Sequence, residues 1–262
     1  MKKTLILSVA VLFFSFLFTQ GVLAARKPMA VRVGKGTVKV NYLDGSAQVR
    51  STADAPWKEI KVGHILRGGD EVEVAKGGRL ELLLPDNSAL RFAGGSLFKI
   101  NAAPDEESRD VDVHLTVGKS WAKVQAAAGI KRKFGISTEN AVAGVRGTVY
   151  RVNAEEDKSV LVRVYEGEVE VTGKAPAPAD RAEQIFGKKP VPIAGPKPVA
   201  GPKPISMEEW TMLLKAMQQV VIRPDGSAEK PRTFTLEEDR DDWVDWNRER
   251  DENLKPNPWG KW

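Results

Sequence analysis

The chain has 262 residues, no cysteine and a formal net charge of +5. Without cysteine it can form neither disulfides nor thiolate metal sites, and its small, evenly distributed charge predicts no strong attraction to nucleic acid. The length allows one substantial domain with a buried core and appended segments.

The N-terminus indicates export. Lys2 and Lys3 precede an unbroken apolar run, Leu5 to Phe18, which has the pattern of a secretory signal peptide. A membrane span needs about 20 apolar residues, and the run is shorter, which favours a cleaved signal over a retained anchor. We therefore predict a signal peptide at residues 1–24, an N-terminal extension at residues 25–36, and a periplasmic or secreted protein without a stable membrane span. Cleavage lowers the formal net charge from +5 to +3, because both lysines are lost.

Short alternating apolar segments separated by turn residues extend from residue 37 to residue 172 and predict an all-β domain. The pattern fits a twisted β-solenoid or a two-sheet sandwich, and periodicity alone does not separate them. Up to residue 124, the predicted strands are Thr37 to Leu43, Ala47 to Arg50, Glu71 to Val74, Leu80 to Leu84, Ala89 to Phe92, Leu97 to Ile100, Val111 to Val117 and Ser120 to Val124. Val160 to Val164 is a further strand.

One arginine lies between glycines in the extended run from residue 141 to residue 152. Gly144 and Gly147 weaken a strand unless the chain bulges or another group approaches closely, so we expect Arg146 at a bend. Its forked guanidinium could engage a partner's carboxylate in a shallow groove. Alternatively it is partly buried and bonds to backbone carbonyls or to an acid such as Asp70. The flanking glycines favour this structural role.

Beyond Thr172 the composition changes to alanine, proline and lysine, with a tandem repeat at Ala194 to Val199 and Ala200 to Ile205. Proline at this density prevents strand pairing and favours extended polyproline conformation. We predict a linker at residues 173–205.

Residues 206–262 are predicted as a helical tail that contains tryptophans. A capping-box pattern at Ser206 to Glu209 precedes apolar residues at helical spacing up to Val221. A second capping box, Thr235 to Glu238, opens a charged segment that extends to Leu254. The fold prediction is thus an all-β domain, a proline-rich linker and one or two C-terminal α-helices.

The tryptophans of this tail have two interpretations. Exposed aromatics with flanking charges are typical of a contact surface for a partner. Packing of the same rings inside the chain, onto the first predicted helix, is the alternative. The residues concerned are Trp210, Trp243, Trp246 and Trp259.

No catalytic constellation is present in the sequence. His64 and His114 are the only histidines, and neither has a second ligand at metal-binding spacing. No serine lies in a nucleophile-elbow pattern, and no glycine-rich phosphate loop opens a helix. Asp70 and Glu166 adjoin glycine turns, which favours capping or ion pairing over catalysis. We predict a non-enzymatic protein with no catalytic residues, cofactor or metal.

An ordered series of motifs resembles the FecR domain family over residues 37 to 172. The motifs are Trp57, Gly68-Gly69-Asp70, the hairpin from Gly78 to Arg91, the run Gly144-Val145-Arg146-Gly147-Thr148, and the turn Glu166-Gly167-Glu168-Val169. The resemblance implies a solenoid-like, twisted two-sheet domain. It also implies that the run at 144–148, with Asp70 and Glu166, forms a structural or interaction motif. Glu139-Asn140 departs from the threonine-proline common at that position in the family.

FecR proteins that this chain resembles relay a signal across the inner membrane to a cytoplasmic sigma factor. No anti-sigma region precedes the apolar run here, so we expect only a protein-interaction or signalling scaffold with an envelope protein partner. Two alternatives stay open. The protein could bind cell-wall glycan through exposed tryptophans such as Trp57 or Trp121, or act as an assembly factor that self-associates through the predicted helix at Met207 to Val221.

Overall fold

The computed structural model describes residues 36–104, 110–125, 133–145, 147–176 and 207–254. Over these residues the chain forms seventeen strands and one helix, so the all-β prediction is confirmed. The predicted signal peptide, the tandem proline repeat, Arg146 and Trp259 lie outside the described residues.

One sheet, sheet A, is antiparallel throughout. Across the sheet the order is β4 (Ile65–Arg67), β1 (Thr37–Asp44), β6 (Arg79–Leu83), β7 (Ala89–Ala93), the second half of β9 (Val111–Lys123), β12 (Val149–Ala154), β13 (Val160–Glu166), β16 (Gln218–Ile222) and β17 (Arg232–Thr233).

The other sheet, sheet B, has one parallel pair, between β9 and β10. Its order is β3 (Lys58–Glu59), β2 (Ala47–Arg50), β5 (Glu71–Val74), β8 (Leu97–Ala102), the first half of β9, β10 (Phe134–Ser137), β11 (Ala141–Val145), β14 (Glu168–Pro176) and β15 (Met207–Lys215).

The core lies between the two sheets, as in a sandwich. Alternate residues of each strand point inward, and Leu82 and Phe92 of sheet A join Val72 and Phe98 of sheet B in one buried cluster. The rings of Phe92 and Phe98 stack with their centroids 3.6 Å apart. The long strand β9 belongs to both sheets and passes from one to the other at Gly118, whose φ is 110°.

The helix predicted at Met207 to Val221 is wrong, because these residues form β15 and β16. β15 pairs with β14, and β16 pairs with β13, so both strands extend the sandwich. The apolar residues fit period two as well as the helical period. Trp210, Met212 and Leu214 alternate along β15 and pack on the core, while Leu213 between them is exposed.

The proline-rich stretch connects two strands of the same hairpin. Pro176 at the end of β14 lies opposite Met207 at the start of β15. The 30 residues between them, which include most of the predicted linker, lie outside the described residues. Because the two ends of this stretch meet, it does not separate the FecR-like strands from β15 and β16.

Replacing residues 177–206 with a four-residue turn should therefore leave the sandwich folded. The shorter loop loses less chain entropy on closure, which should raise the free energy of unfolding by about 1–2 kcal/mol. Urea unfolding checks this, with a glycine-serine loop of the original length as the control. A shortened chain that unfolds more easily than the control would contradict the predicted effect.

Helix α1 (Asp242–Glu252) follows β17, within the charged segment predicted to be helical. The predicted capping box forms, since Thr235 Oγ1 accepts the amide of Glu238 at 3.1 Å, but it closes a single turn. The helix begins later, where Asp241 caps it by accepting the amide of Val244 at 2.7 Å. No helix in the described part of the chain is long and apolar enough to cross a membrane.

Candidate functional site

A row of polar and aromatic side chains crosses the outer face of sheet A. Each member pairs with the next across neighbouring strands, and most of the residues beside the members in their strands belong to the core. We call this set the arginine row. Its members are Glu81 of β6, Arg91 of β7, Trp121 of β9, Arg151 of β12, Arg163 of β13 and Gln219 of β16.

Residues 234–252, named here the covering segment, contact the row. They comprise the capped turn after β17 and helix α1. The side chains of Glu81 and Arg91 are 0% exposed, which is unusual for charged residues on the outer face of a sheet. The row is therefore a buried interface between the sheet and the covering segment.

Glu81 is the centre of the first ionic cluster. Its carboxylate accepts hydrogen bonds from Arg91 Nε at 2.6 Å, Arg250 Nη2 at 2.8 Å and Asn41 Nδ2 at 2.6 Å. Burial on its own would raise the pKa of Glu81. The bonds from Arg250 and the charge and bonds of Arg91 outweigh burial and lower the pKa to about 2.

Stability should fall in acid because of this carboxylate. The unfolded chain takes up a proton near pH 4.5, whereas folded Glu81 resists protonation until about pH 2, so its contribution is present above 4.5 and lost as the pH falls toward 2. Between about pH 7 and pH 3 we expect a loss of roughly 2 kcal/mol from this group.

Urea unfolding at a series of pH values checks this expectation. A Glu81→Gln variant is the control, because it should lack this part of the acid dependence. Equal acid sensitivity of the two proteins would contradict the low pKa of Glu81.

Asp251 of α1 completes this cluster from the covering segment. It accepts a hydrogen bond from Arg91 Nη1 at 2.6 Å and another from Trp121 Nε1 at 3.0 Å. Lys123 Nζ donates to the backbone carbonyl of Asp251 at 2.6 Å. Three strand residues of sheet A thus converge on one residue near the end of the helix.

Asp239 is the centre of a second ionic cluster. Its carboxylate pairs with Arg151 Nη2 at 2.6 Å and with Arg163 Nη1, and it accepts the Tyr165 hydroxyl at 2.5 Å. Arg163 Nε donates to Gln219 Oε1 at 2.6 Å. Burial raises the pKa of Tyr165 to about 12, so the phenol keeps its proton and remains a donor to the carboxylate.

An aromatic cluster lies between the two ionic clusters. The rings of Trp121 and Tyr165 are 4.4 Å apart, and Phe234 meets Tyr165 edge to face at 5.5 Å. Trp243 and Val244 of α1 are buried in the same cluster. The covering segment thus contributes a tryptophan anchor flanked in sequence by two acids that bind arginines.

The glycine-flanked run is packed against the turn at residues 166–169. A β-carbon on Gly167 would lie 2.7 Å from the carbonyl oxygen of Gly147 and 2.7 Å from Thr148 Cγ2. Thr148 is buried, Glu166 is exposed, and Gly144 and Val145 end strand β11.

Asp70 makes a local contact, accepting the backbone amide of Arg67 at 2.8 Å. The structure therefore brings Gly147 and Thr148 next to Gly167. A joint role for Arg146, Asp70 and Glu166 stays a prediction.

Three tryptophans of the tail, Trp210, Trp243 and Trp246, lie among the described residues, and all three pack inside the chain. Trp210 lies against Gly173 and donates to the carbonyl of Gly226 at 2.9 Å. Trp243 is 6% exposed, and Trp246 is partly buried, with its ring 5.7 Å from that of Tyr42. The rings therefore pack within the chain, as in the second of the two interpretations. Trp243 and Trp246 pack on sheet A and not on the first predicted helix, because the residues of that predicted helix form strands.

None of the sequence patterns described above predicts the arginine row. Arg91, Arg151 and Arg163 each lie within a strand whose adjacent residues are apolar or buried. Acids are frequent between residues 237 and 251. Mid-strand arginines together with a distant acidic segment could have indicated this pairing, although neither feature gives the register.

The described residues thus form a two-sheet β domain with a buried ionic and aromatic interface between sheet A and the covering segment. Among them, no group of three or more histidine, aspartate or glutamate residues could hold a metal ion. Residues 70–170 match the family model described as FecR protein, and the chain therefore carries a FecR domain there. The resemblance to the FecR domain family, inferred from the sequence motifs, is confirmed.

Two crystal structures of a "putative anti-sigma factor from Parabacteroides distasonis ATCC 8503", at 1.65 and 2.50 Å resolution, are similar to the chain. Both are 19% identical over 62% of this chain, with TM-scores of 0.41 and 0.42. This chain covers 59% of the length of each. No curated protein matches the sequence.

Proposed function

We propose that this protein is an exported, non-catalytic scaffold of the bacterial envelope that binds a partner protein, in the periplasm, as part of signalling. The observation that carries the proposal is the arginine row, a face of the FecR-domain sandwich that holds a polypeptide segment by charge and aromatic packing. The signal-peptide pattern of residues 1–24 and the FecR match support export and a regulatory role.

Protein contact is better supported than glycan stacking. A stacking platform needs an exposed ring face, but Trp121 and Trp243 are buried. Trp57 is half-buried, and the guanidinium of Arg50 lies 4.6 Å from its ring centroid. These three described tryptophans therefore expose little ring surface on which a sugar could stack. Self-association through a helix at residues 207–221 loses its basis, because those residues are strands.

Fractionation and crosslinking in the producing cell test this proposal. The expected result is a shortened chain in the periplasmic fraction, and its retention in the cytoplasm when residues 2–24 are deleted. A photoreactive residue placed at exposed Leu213 or Val142 of sheet B, or at Lys119 beside the row, should capture one envelope protein. A chain that stays full length in the cytoplasm, or that gives no complex from any position, would refute the proposal.

A further inference from the structure

We propose that the arginine row is a binding site for an acidic, tryptophan-bearing helix of a partner protein, and that the covering segment occupies this site in the free chain. The inference rests on the proposed scaffold function and specifies the partner's chemistry. It goes beyond that function because it assigns one face of one sheet and one class of ligand.

The residue types of the row are those of a sheet face that can be exposed to water. A sheet face that is always covered is stabilised at least as well by apolar residues, because buried ion pairs recover little of the free energy lost on desolvation. Here the face carries Arg91, Arg151 and Arg163 with only Glu81 as an acid. Without its cover it would be a cationic surface that also exposes the rings of Trp121 and Tyr165, which suits a face that binds a charged and aromatic ligand.

The covering segment can leave without breaking the sheet. It follows β17, the two-residue strand at the edge of sheet A, and it forms no strand of its own. Phe234 donates its amide to the carbonyl of Met217, and most of the remaining ties are made by side chains such as Arg91 and Asp239. An eleven-residue helix is too short to be stable alone, so the segment would gain chain entropy on release.

The covering segment also satisfies the row incompletely. Arg151 is 4% exposed, yet its Nε and Nη1 atoms have no hydrogen-bond partner among the described residues, and neither has Arg91 Nη2. A carboxylate oxygen of Asp241 lies 4.0 Å from Arg151 Nη1, which is too far for a hydrogen bond. Buried donors are normally paired, so a ligand with a further carboxylate beside Arg151 would bind this face better than the chain's own segment does.

The contacts define the ligand. It must place one carboxylate between Arg151 and Arg163, as Asp239 does, and another at Arg91, as Asp251 does. Between them it needs an aromatic anchor for the cluster that Trp243 fills. Tryptophan, tyrosine and arginine dominate the energetics of protein interfaces, and all three meet here.

Covalent linkage gives the covering segment a large advantage. A tethered segment has an effective concentration of the order of millimolar, so it masks the site from a free ligand of moderate affinity. Loosening the segment should therefore raise the apparent affinity for a ligand in trans by about tenfold or more. Ionic contacts also make binding weaker at high salt.

The first test uses the full mature chain and a fluorescent peptide with the sequence of residues 234–254. Fluorescence anisotropy should show binding to the double variant Asp239→Asn, Asp251→Asn at least about tenfold tighter than to the wild type. Adding Arg151→Gln and Arg163→Gln to that variant should abolish binding. A folded double variant that binds the peptide no better than the wild type would overturn the inference.

If the double variant does not fold, hydrogen exchange on the wild type tests whether the covering segment opens without the sheet. Amides of α1 should exchange at least about a hundredfold faster than those of β7 and β12, because the segment opens without the sheet. Exchange of α1 at the rate of these strands would overturn the inference.

The second test crosslinks in the producing cell from Lys119, which lies 3.9 Å from Asp241 at the border of the row. In the double variant, mass spectrometry should identify a captured partner segment with acids on both sides of a tryptophan, and excess peptide 234–254 should compete with it in extracts. Capture of only a second copy of this chain would overturn the inference. Capture of a partner only from Leu213 or Val142 would also overturn it, while leaving the proposed scaffold function intact.

Discussion

Glu81→Gln is expected to lower the free energy of unfolding by about 3–5 kcal/mol, because it removes one partner of a buried ion pair. The substitution keeps the shape of the side chain and removes its charge. Arg91 is 0% exposed and would lose its negative partner, and the amide offers Arg91 and Arg250 one acceptor oxygen in place of two. Urea unfolding at neutral pH measures the change.

The control is Glu139→Gln. Glu139 also pairs with a cation, Lys158 at 2.8 Å, but the two side chains are 62% and 57% exposed. An exposed pair contributes about 0–1 kcal/mol, so the two variants differ mainly in burial. A loss for Glu81→Gln no larger than that for the control would contradict the central place of this carboxylate in the row.

Much of the sandwich was predictable from the sequence because its strands are short and separated by turns. The predicted strands at Ala47 to Arg50 and Glu71 to Val74 coincide with β2 and β5. The predicted pair at 111–117 and 120–124 forms one strand instead. The two residues between the predicted strands, Gly118 and Lys119, have the pattern of a turn, but Gly118 is the corner where β9 changes sheets. A glycine in the sequence does not distinguish a turn from such a corner.

The segment after residue 206 could not be assigned from local pattern. Its apolar residues satisfy both periods, and only the pairing with β14 and β13 selects the strand. That pairing depends on bringing Met207 back to Pro176 across 30 intervening residues, which the sequence does not specify. Tertiary pairing therefore decided the secondary structure.

The arginine row depends on contacts that are more distant still. Arg91 and Asp251 are 160 residues apart, and Arg163 and Asp239 are 76 apart. The sequence shows the residue types that form the site, namely acids and tryptophans in the tail and single arginines within strands. Which arginine meets which acid is set by the register of six paired strands, and that register is not encoded locally.

The corner of β9 leads to the second large prediction, Gly118→Ala. Gly118 has φ of 110°, and an added β-carbon would lie 2.3 Å from Ser96 Oγ and 2.5 Å from Ser96 Cα. The backbone strain should cost about 1–2 kcal/mol and the overpacking about 1–3 kcal/mol, so we expect a loss of about 3–4 kcal/mol in the free energy of unfolding. Ser96 Oγ also accepts the amide of Lys119 at 3.1 Å, so its displacement would disturb the strand where it enters sheet A.

Gly77→Ala is the matched control for this prediction. Gly77 also has a positive φ, 79°, but an added β-carbon there would meet nothing within 4 Å. It should therefore lose only the conformational part, about 1–2 kcal/mol. The difference between the two variants in urea unfolding isolates the close approach of Ser96 to the corner.

The corner also affects the arginine row, because β9 supplies Trp121 to the row three residues later. Gly118→Ala should therefore also weaken the contacts between the row and the covering segment, whereas Gly77→Ala should not. Equal losses in the two variants would show that the corner tolerates a side chain and that the position of β9 does not depend on this contact.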